Sequence, residues 1–135
     1  MISAGYIAGS TLNLFSEGLG YLEKAERTFK GRNETQSSGY ANLMMNIGNV
    51  YLDKSQLDRA LEYYLKDKSI EDGLGLQNTA GYANLMYNMV MLYEKQGQRD
   101  QAGRYFRMAY DTFVRSDYSD EWRDKALNNA RRLGY

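Results

Sequence analysis

The octet Gly39-Tyr40-Ala41-Asn42-Leu43-Met44-Met45-Asn46 returns as Gly81-Tyr82-Ala83-Asn84-Leu85-Met86-Tyr87-Asn88, so the chain repeats at an interval of 42 residues. The register continues through Tyr51/Tyr93, Gln56/Gln98, Asp58/Asp100, Ala60/Ala102 and Tyr63/Tyr105, with Tyr64/Phe106 a conservative pair. Repetition of this length marks an array of stacked units, each burying its apolar face against the next. Function is then to be sought on a stacked surface rather than in a catalytic cleft.

Within the first full unit, Leu43, Met44, Ile47, Val50 and Tyr51 fall at helical spacing, and a second helical run follows at Leu57, Ala60, Leu61, Tyr64 and Leu65. Each unit therefore reads as a helical hairpin. The break at Lys54-Ser55-Gln56 is matched by Gln96-Gly97-Gln98, and Ser55 with Asp58 suits a capped start for the second helix. Longer connections rich in Gly, Asn, Ser and Thr, from Gly31 to Ser38 and from Gly73 to Thr79, join one hairpin to the next.

Composition narrows the chemistry. The 135 residues make one domain, with 17 basic and 17 acidic side chains scattered along it. A phosphate-binding footprint is missing, so nucleic acid is not an expected partner. With no His and no Cys, zinc sites, disulfides and Ser-His or Cys-His nucleophilic pairs are excluded. No catalytic residue, metal site or cofactor is expected. The first sixteen residues are uncharged, but Gly5, Gly9, Ser10, Thr11 and Asn13 interrupt the apolar run and no basic residue precedes it. They read as neither a secretory signal nor a membrane span. The lack of Cys fits a reducing compartment, and a cytoplasmic location is expected.

The pattern Met44-x-x-Ile47-Gly48-x-x-Tyr51 followed by Ala60-x-x-x-Tyr64 resembles the tetratricopeptide repeat. The second copy reads Met86-x-x-Met89-Val90-x-x-Tyr93, then Ala102-x-x-x-Phe106-x-x-Ala109. The interval of 42 is similar to the long-period variety of kinesin light chains and bacterial signalling proteins. Gly18 to Ala25 aligns with Ala60 to Asp67 as the second helix of an earlier unit, whose first helix would be residues 1 to 15. Here Gly5, Tyr6 and Gly9 replace the apolar, small and Tyr positions.

The resemblance implies an all-α fold, a right-handed superhelical stack of antiparallel helix hairpins. As one domain over 1–135, it divides into a degenerate first hairpin at 1–36, repeats at 37–78 and 79–116, and a capping or truncated helix at 117–135. Ser119-Asp120-Glu121-Trp122 gives that last helix an acidic start and Arg131-Arg132 a basic end.

In the family, the first helices of successive hairpins line a concave face. The resemblance places Asn42, Met45, Asn46, Asn49, Leu52 and Asp53 there, and in the next unit Asn84, Tyr87, Asn88, Met91, Glu94 and Lys95. Asn is a poor interior helix former, so five of them on this face want a reason. Asn46 and Asn88 occupy the position of the Asn ladder in peptide-binding arrays, where an amide that both donates and accepts can hold a peptide backbone. The plainer alternative is that these amides cap loops or meet solvent. Tyr87, Met45 and Met91 offer contact to apolar side chains, or serve as ordinary packing. A clamp for acidic C-terminal peptides is disfavoured, because its basic positions read Met45, Asn84 and Asn88.

Asp67 stands where neighbouring units carry Ala25 and Ala109, and is expected to be partly exposed beside Lys66 or Lys68. Glu71-Asp72 and Asp120-Glu121 point apart on a helix, and Gly18-x-Gly20 and Gly73-x-Gly75 lack a nucleotide-loop context. The expected function is a non-catalytic scaffold for a protein or extended peptide segment. The rivals are a regulatory sensor fragment of a larger signalling or transcription protein, and a self-assembling module whose open ends form a homo-oligomer.

Overall fold

The computed structural model describes residues 4–115 and, beyond them, positions 124, 127, 128, 130–132 and 134. Helices α1 (Ala4–Gly31), α2 (Ser38–Asp53), α3 (Leu57–Gly73), α4 (Ala80–Lys95) and α5 (Arg99–Arg115) follow in order, and no strand occurs among the described residues. α2 packs on α3 and α4 on α5 as antiparallel hairpins, with lighter contacts of α1 on α2, α3 on α4, and α2 on α4. The fold is an all-α stack of hairpins. Positions 124, 127, 128 and 130–132 are also helical, whereas Ser119-Asp120-Glu121-Trp122 lies outside the described residues.

The same local chemistry sets the helix boundaries at each interval of 42. Ser37 and Thr79 cap α2 and α4, their hydroxyls accepting from the backbone N–H of Tyr40 and Tyr82 at 3.2 Å. Both hairpin turns close with a left-handed residue, Ser55 (φ 61°) and Gly97 (φ 72°), and with Gln56 and Gln98 N–H donating to the carbonyls of Tyr51 and Tyr93 at 2.9 Å. Ser55 is therefore not the cap that its spacing to Asp58 suggests. The residue at the α3 N-cap is Gln56, without a side-chain cap bond; a turn this short needs a left-handed residue at 55 more than it needs a hydroxyl. Asn33 (φ 61°) and Gly75 (φ 72°) do the same between hairpins.

The first unit differs from the expected hairpin over 1–36. α1 runs unbroken from Ala4 to Gly31. Gly9 stands where Tyr51 and Tyr93 meet the second helix of their hairpins, so folding back would lose that tyrosine contact, while a continuous helix keeps its backbone bonds.

The core is built by small residues admitting large ones. Ala60 and Ala102 are fully buried, and so is Tyr64. A Cβ built on Gly48 would meet the Tyr64 ring at 2.7 Å, so glycine there lets α3 approach α2. The Tyr64 hydroxyl donates to Asn49 Oδ1 on α2. In the second hairpin the corresponding residues are Val90, Phe106 and Met91, an apolar version of the same seat. Tyr51 stacks on Tyr63 with ring centroids 5.6 Å apart, and Tyr93 on Tyr105 at 5.3 Å. Arg59 adds a hydrogen bond to the Tyr51 hydroxyl at 3.1 Å and lies over its ring.

Asp67, Glu71 and Thr112 are the buried polar side chains of an otherwise apolar interior among the described residues. Asp67 is only 2% exposed, not the partly solvated residue expected. Lys66 and Lys68 pair instead with Glu62 and Asp72, at 3.7 and 2.9 Å.

Urea-unfolding midpoints check both the Tyr64 seat and the turn at Ser55. Gly48→Ala should destabilise by about 1 to 3 kcal/mol through overpacking against Tyr64, whereas Ser55→Gly should stabilise by about 1 kcal/mol by relieving the left-handed backbone. Asn49→Met should cost about 1 to 3 kcal/mol because it strands the Tyr64 hydroxyl. Adding Tyr64→Phe, the residue pair of the second hairpin, should recover most of that loss.

Candidate functional site

α2 and α4, the first helices of consecutive hairpins, touch each other and carry the residues that the repeat register assigns to the face. Asn42, Asn46, Asp53, Asn84, Met91 and Lys95 are exposed on it, and Asn49, Tyr87, Asn88 and Glu94 are half-buried. Met45 and Tyr87 also pack against the core, so each is shared between surface and interior. Leu52 is buried and leaves the face. Its counterpart Glu94 remains at the surface edge because a carboxylate keeps access to water.

The asparagines divide into two groups. Asn88 Nδ2 donates to Asn49 Oδ1 at 3.2 Å, and the same oxygen accepts from the Tyr64 hydroxyl, so Asn49 joins α2, α3 and α4. This pair holds the repeats together rather than waiting for a ligand. Burial raises the Tyr64 pKa, the charge of Asp53 adding to it, and its hydroxyl remains a donor at all physiological pH. Asn42, Asn46 and Asn84, by contrast, present their amides to solvent.

At the α4 end the face deepens into a cavity of about 170 Å³ lined by Tyr87, Val90, Met91, Glu94, Lys95, Phe106 and Arg132. The Tyr87 ring meets Phe106 edge-on, centroids 6.0 Å apart. Burial raises the pKa of Glu94, and the charge of Arg132 opposes that shift. The hollow thus combines an aromatic floor with charges at its rim. Val90, Phe106 and Arg132 were not among the residues the repeat register assigns to the face. Phe106 and Arg132 come from outside the first helices, and no spacing rule in the chain links Arg132 to Glu94.

Among the described residues no group of acidic side chains is arranged to hold a metal ion, and no helix is long and apolar enough to cross a membrane.

Comparison with known proteins agrees with the helical repeat fold. The tetratricopeptide repeat family matches residues 41–66 and 83–111, one match in each α2–α3 and α4–α5 hairpin. No curated protein matches the chain. The crystal structure of BtubC (BKLC) from P. vanneervenii is similar with a TM-score of 0.69, covering 90% of this chain and 57% of that one at 16% sequence identity. At that identity the likeness establishes the helical repeat fold alone, and this chain spans little more than half of that protein's length. Tetratricopeptide repeats are in general non-catalytic protein-interaction scaffolds. Residues 41–66 and 83–111, one stretch in each complete hairpin, are thus tetratricopeptide repeats.

Proposed function

We propose that the α2–α4 face binds an extended segment of another protein, with side-chain amides holding the segment's backbone and the Tyr87–Met91 hollow receiving an apolar side chain. The observation that carries this reading is the pair of equivalent, exposed amides Asn42 and Asn84, flanked by exposed Asn46, on two helices that lie side by side. An exposed amide can donate and accept at once, which matches an unpaired peptide backbone. Asn88 contributes differently. Its Nδ2 is engaged with Asn49, so it fixes the spacing of α2 and α4 beneath the segment rather than holding the segment itself. Asp53 and Lys95 stand exposed at the helix ends and fix polarity more than affinity.

A peptide selected from a random unstructured library supplies the test. Asn46→Ala and Asn84→Ala should each weaken its binding by about 1 kcal/mol, the usual worth of a neutral hydrogen bond. Tyr87→Ala should cost more. Unchanged affinity in the double asparagine variant, with the helical fold intact, would contradict the amide reading.

Self-association through the array end is favoured by a separate observation. Tyr21 is 77% exposed, although its counterparts Tyr63 and Tyr105 stack on tyrosines of their own hairpins. Gly18 and Leu22 are half-buried where Ala60 and Tyr64 are fully buried. A repeat face without its neighbour recruits one. The mass measured by light scattering should rise over a hundredfold range of concentration, and Tyr21→Glu should suppress the rise. A constant monomer mass contradicts this reading.

A further inference from the structure

At positions matched by the interval of 42, the units carry Ala25 and Phe29, then Asp67 and Glu71, then Ala109 and Phe113. The middle unit has thus replaced an apolar pair with two acids, at the place where α3 meets α4. Both acids are buried, Asp67 at 2% and Glu71 at 9% exposure. Asp67 and Glu71 stand one turn apart on α3, and Asp67 Oδ1 is buried with no hydrogen-bond partner. Two carboxyl groups can share a hydrogen bond only when one of them holds a proton.

We propose that Asp67 and Glu71 form a proton-operated joint between the two complete hairpins: a single proton shared by the two carboxyls closes the α3–α4 junction, and its loss loosens it. Among the described residues of α2, α3 and α4, no free counter-charge faces the pair. On α3, Lys68 is occupied by Asp72. From α4, the Tyr82 hydroxyl donates to Asp72 Oδ1 at 2.8 Å, and the only charged residues of that helix, Glu94 and Lys95, are at its far end. α2 carries no charge before Asp53, its last residue. A Cβ built on Gly81, in the first turn of α4, would stand 3.8 Å from Glu71 Oε1, so Glu71 lies beside the positive end of that helix. Asp67, the more deeply buried of the two, keeps the proton. Burial first, then the hydrogen bond and charge of Glu71, push the Asp67 pKa up to about 9.

A carboxyl whose folded pKa lies above its unfolded value of 3.8 gives a stability that is full below that value and lost as pH rises toward 9. The chain has no His and no Cys, so little else titrates in the middle of this window. Because α2 and α4 share the candidate face, the state of the joint governs whether the halves of that face stay in register.

Urea unfolding of the intact chain from pH 5.5 to 8.5 tests the joint. The unfolding constant should rise with pH, by up to about tenfold per unit for one linked proton. Asp67→Asn, which is neutral throughout, should give a flat profile, as should Asp67→Ala/Glu71→Phe, which installs the residues of the neighbouring junctions. Hydrogen exchange at the α3–α4 junction should accelerate with pH in the native chain beyond its rate in either variant. A wild-type profile as flat as that of the variants, or one that rises in stability with pH, overturns the proposal.

Discussion

The seating of Tyr64 between Gly48 and Asn49 is the contact on which the rest of the array depends. The missing Cβ at Gly48 lets the ring enter, and the buried hydroxyl then requires an acceptor, which Asn49 provides. Asn49 Oδ1 also takes the amide of Asn88, so the same oxygen that satisfies the core of one hairpin sets the spacing to the first helix of the next. The outward face is consequently defined from the inside. In the second hairpin Val90, Phe106 and Met91 fill the seat without any polar demand, and that freedom leaves Met91 exposed, 42% accessible, at the hollow beneath Tyr87.

The two hairpins are therefore copies in backbone and variants in chemistry. The first uses polar residues within its own structure, on Asn49 and the buried acids of α3, and on the Arg59–Tyr51 contact at its surface. The second is plainer inside and more varied on its face, where Tyr87, Glu94, Lys95 and Arg132 surround the cavity. A ligand lying across both helices would meet amides on α2 and an aromatic hollow on α4, which gives the face a direction.

The helices and hairpin pairing were legible because the interval of 42 and the spacing of Leu43, Ile47, Tyr51, Ala60 and Tyr64 depend on helical geometry alone. Three features were not. Ser55 looked like a cap because its spacing to Asp58 is that of one, whereas the turn imposes a left-handed backbone that only comparison with Gly97 reveals. Asp67 looked solvent-facing because two lysines flank it, but those side chains point to acids one turn away along their own helix. The division of the asparagines into stitching and presenting groups depends on which amides meet across two helices, and no single-helix register contains that information.

Asn49 and Asn88 are tied to each other between α2 and α4, and in the proposed reading Asn42, Asn46 and Asn84 are the amides that face a ligand. Side-chain amide resonances of the isotopically labelled chain, followed during titration with a library-selected peptide, distinguish the two groups directly. The Asn88 amide should be protected from solvent before any peptide is added, and those of Asn42, Asn46 and Asn84 should shift as it binds. Shifts confined to the outer surfaces of α3 and α5, or an Asn88 amide that exchanges as freely as Asn46, would contradict this account.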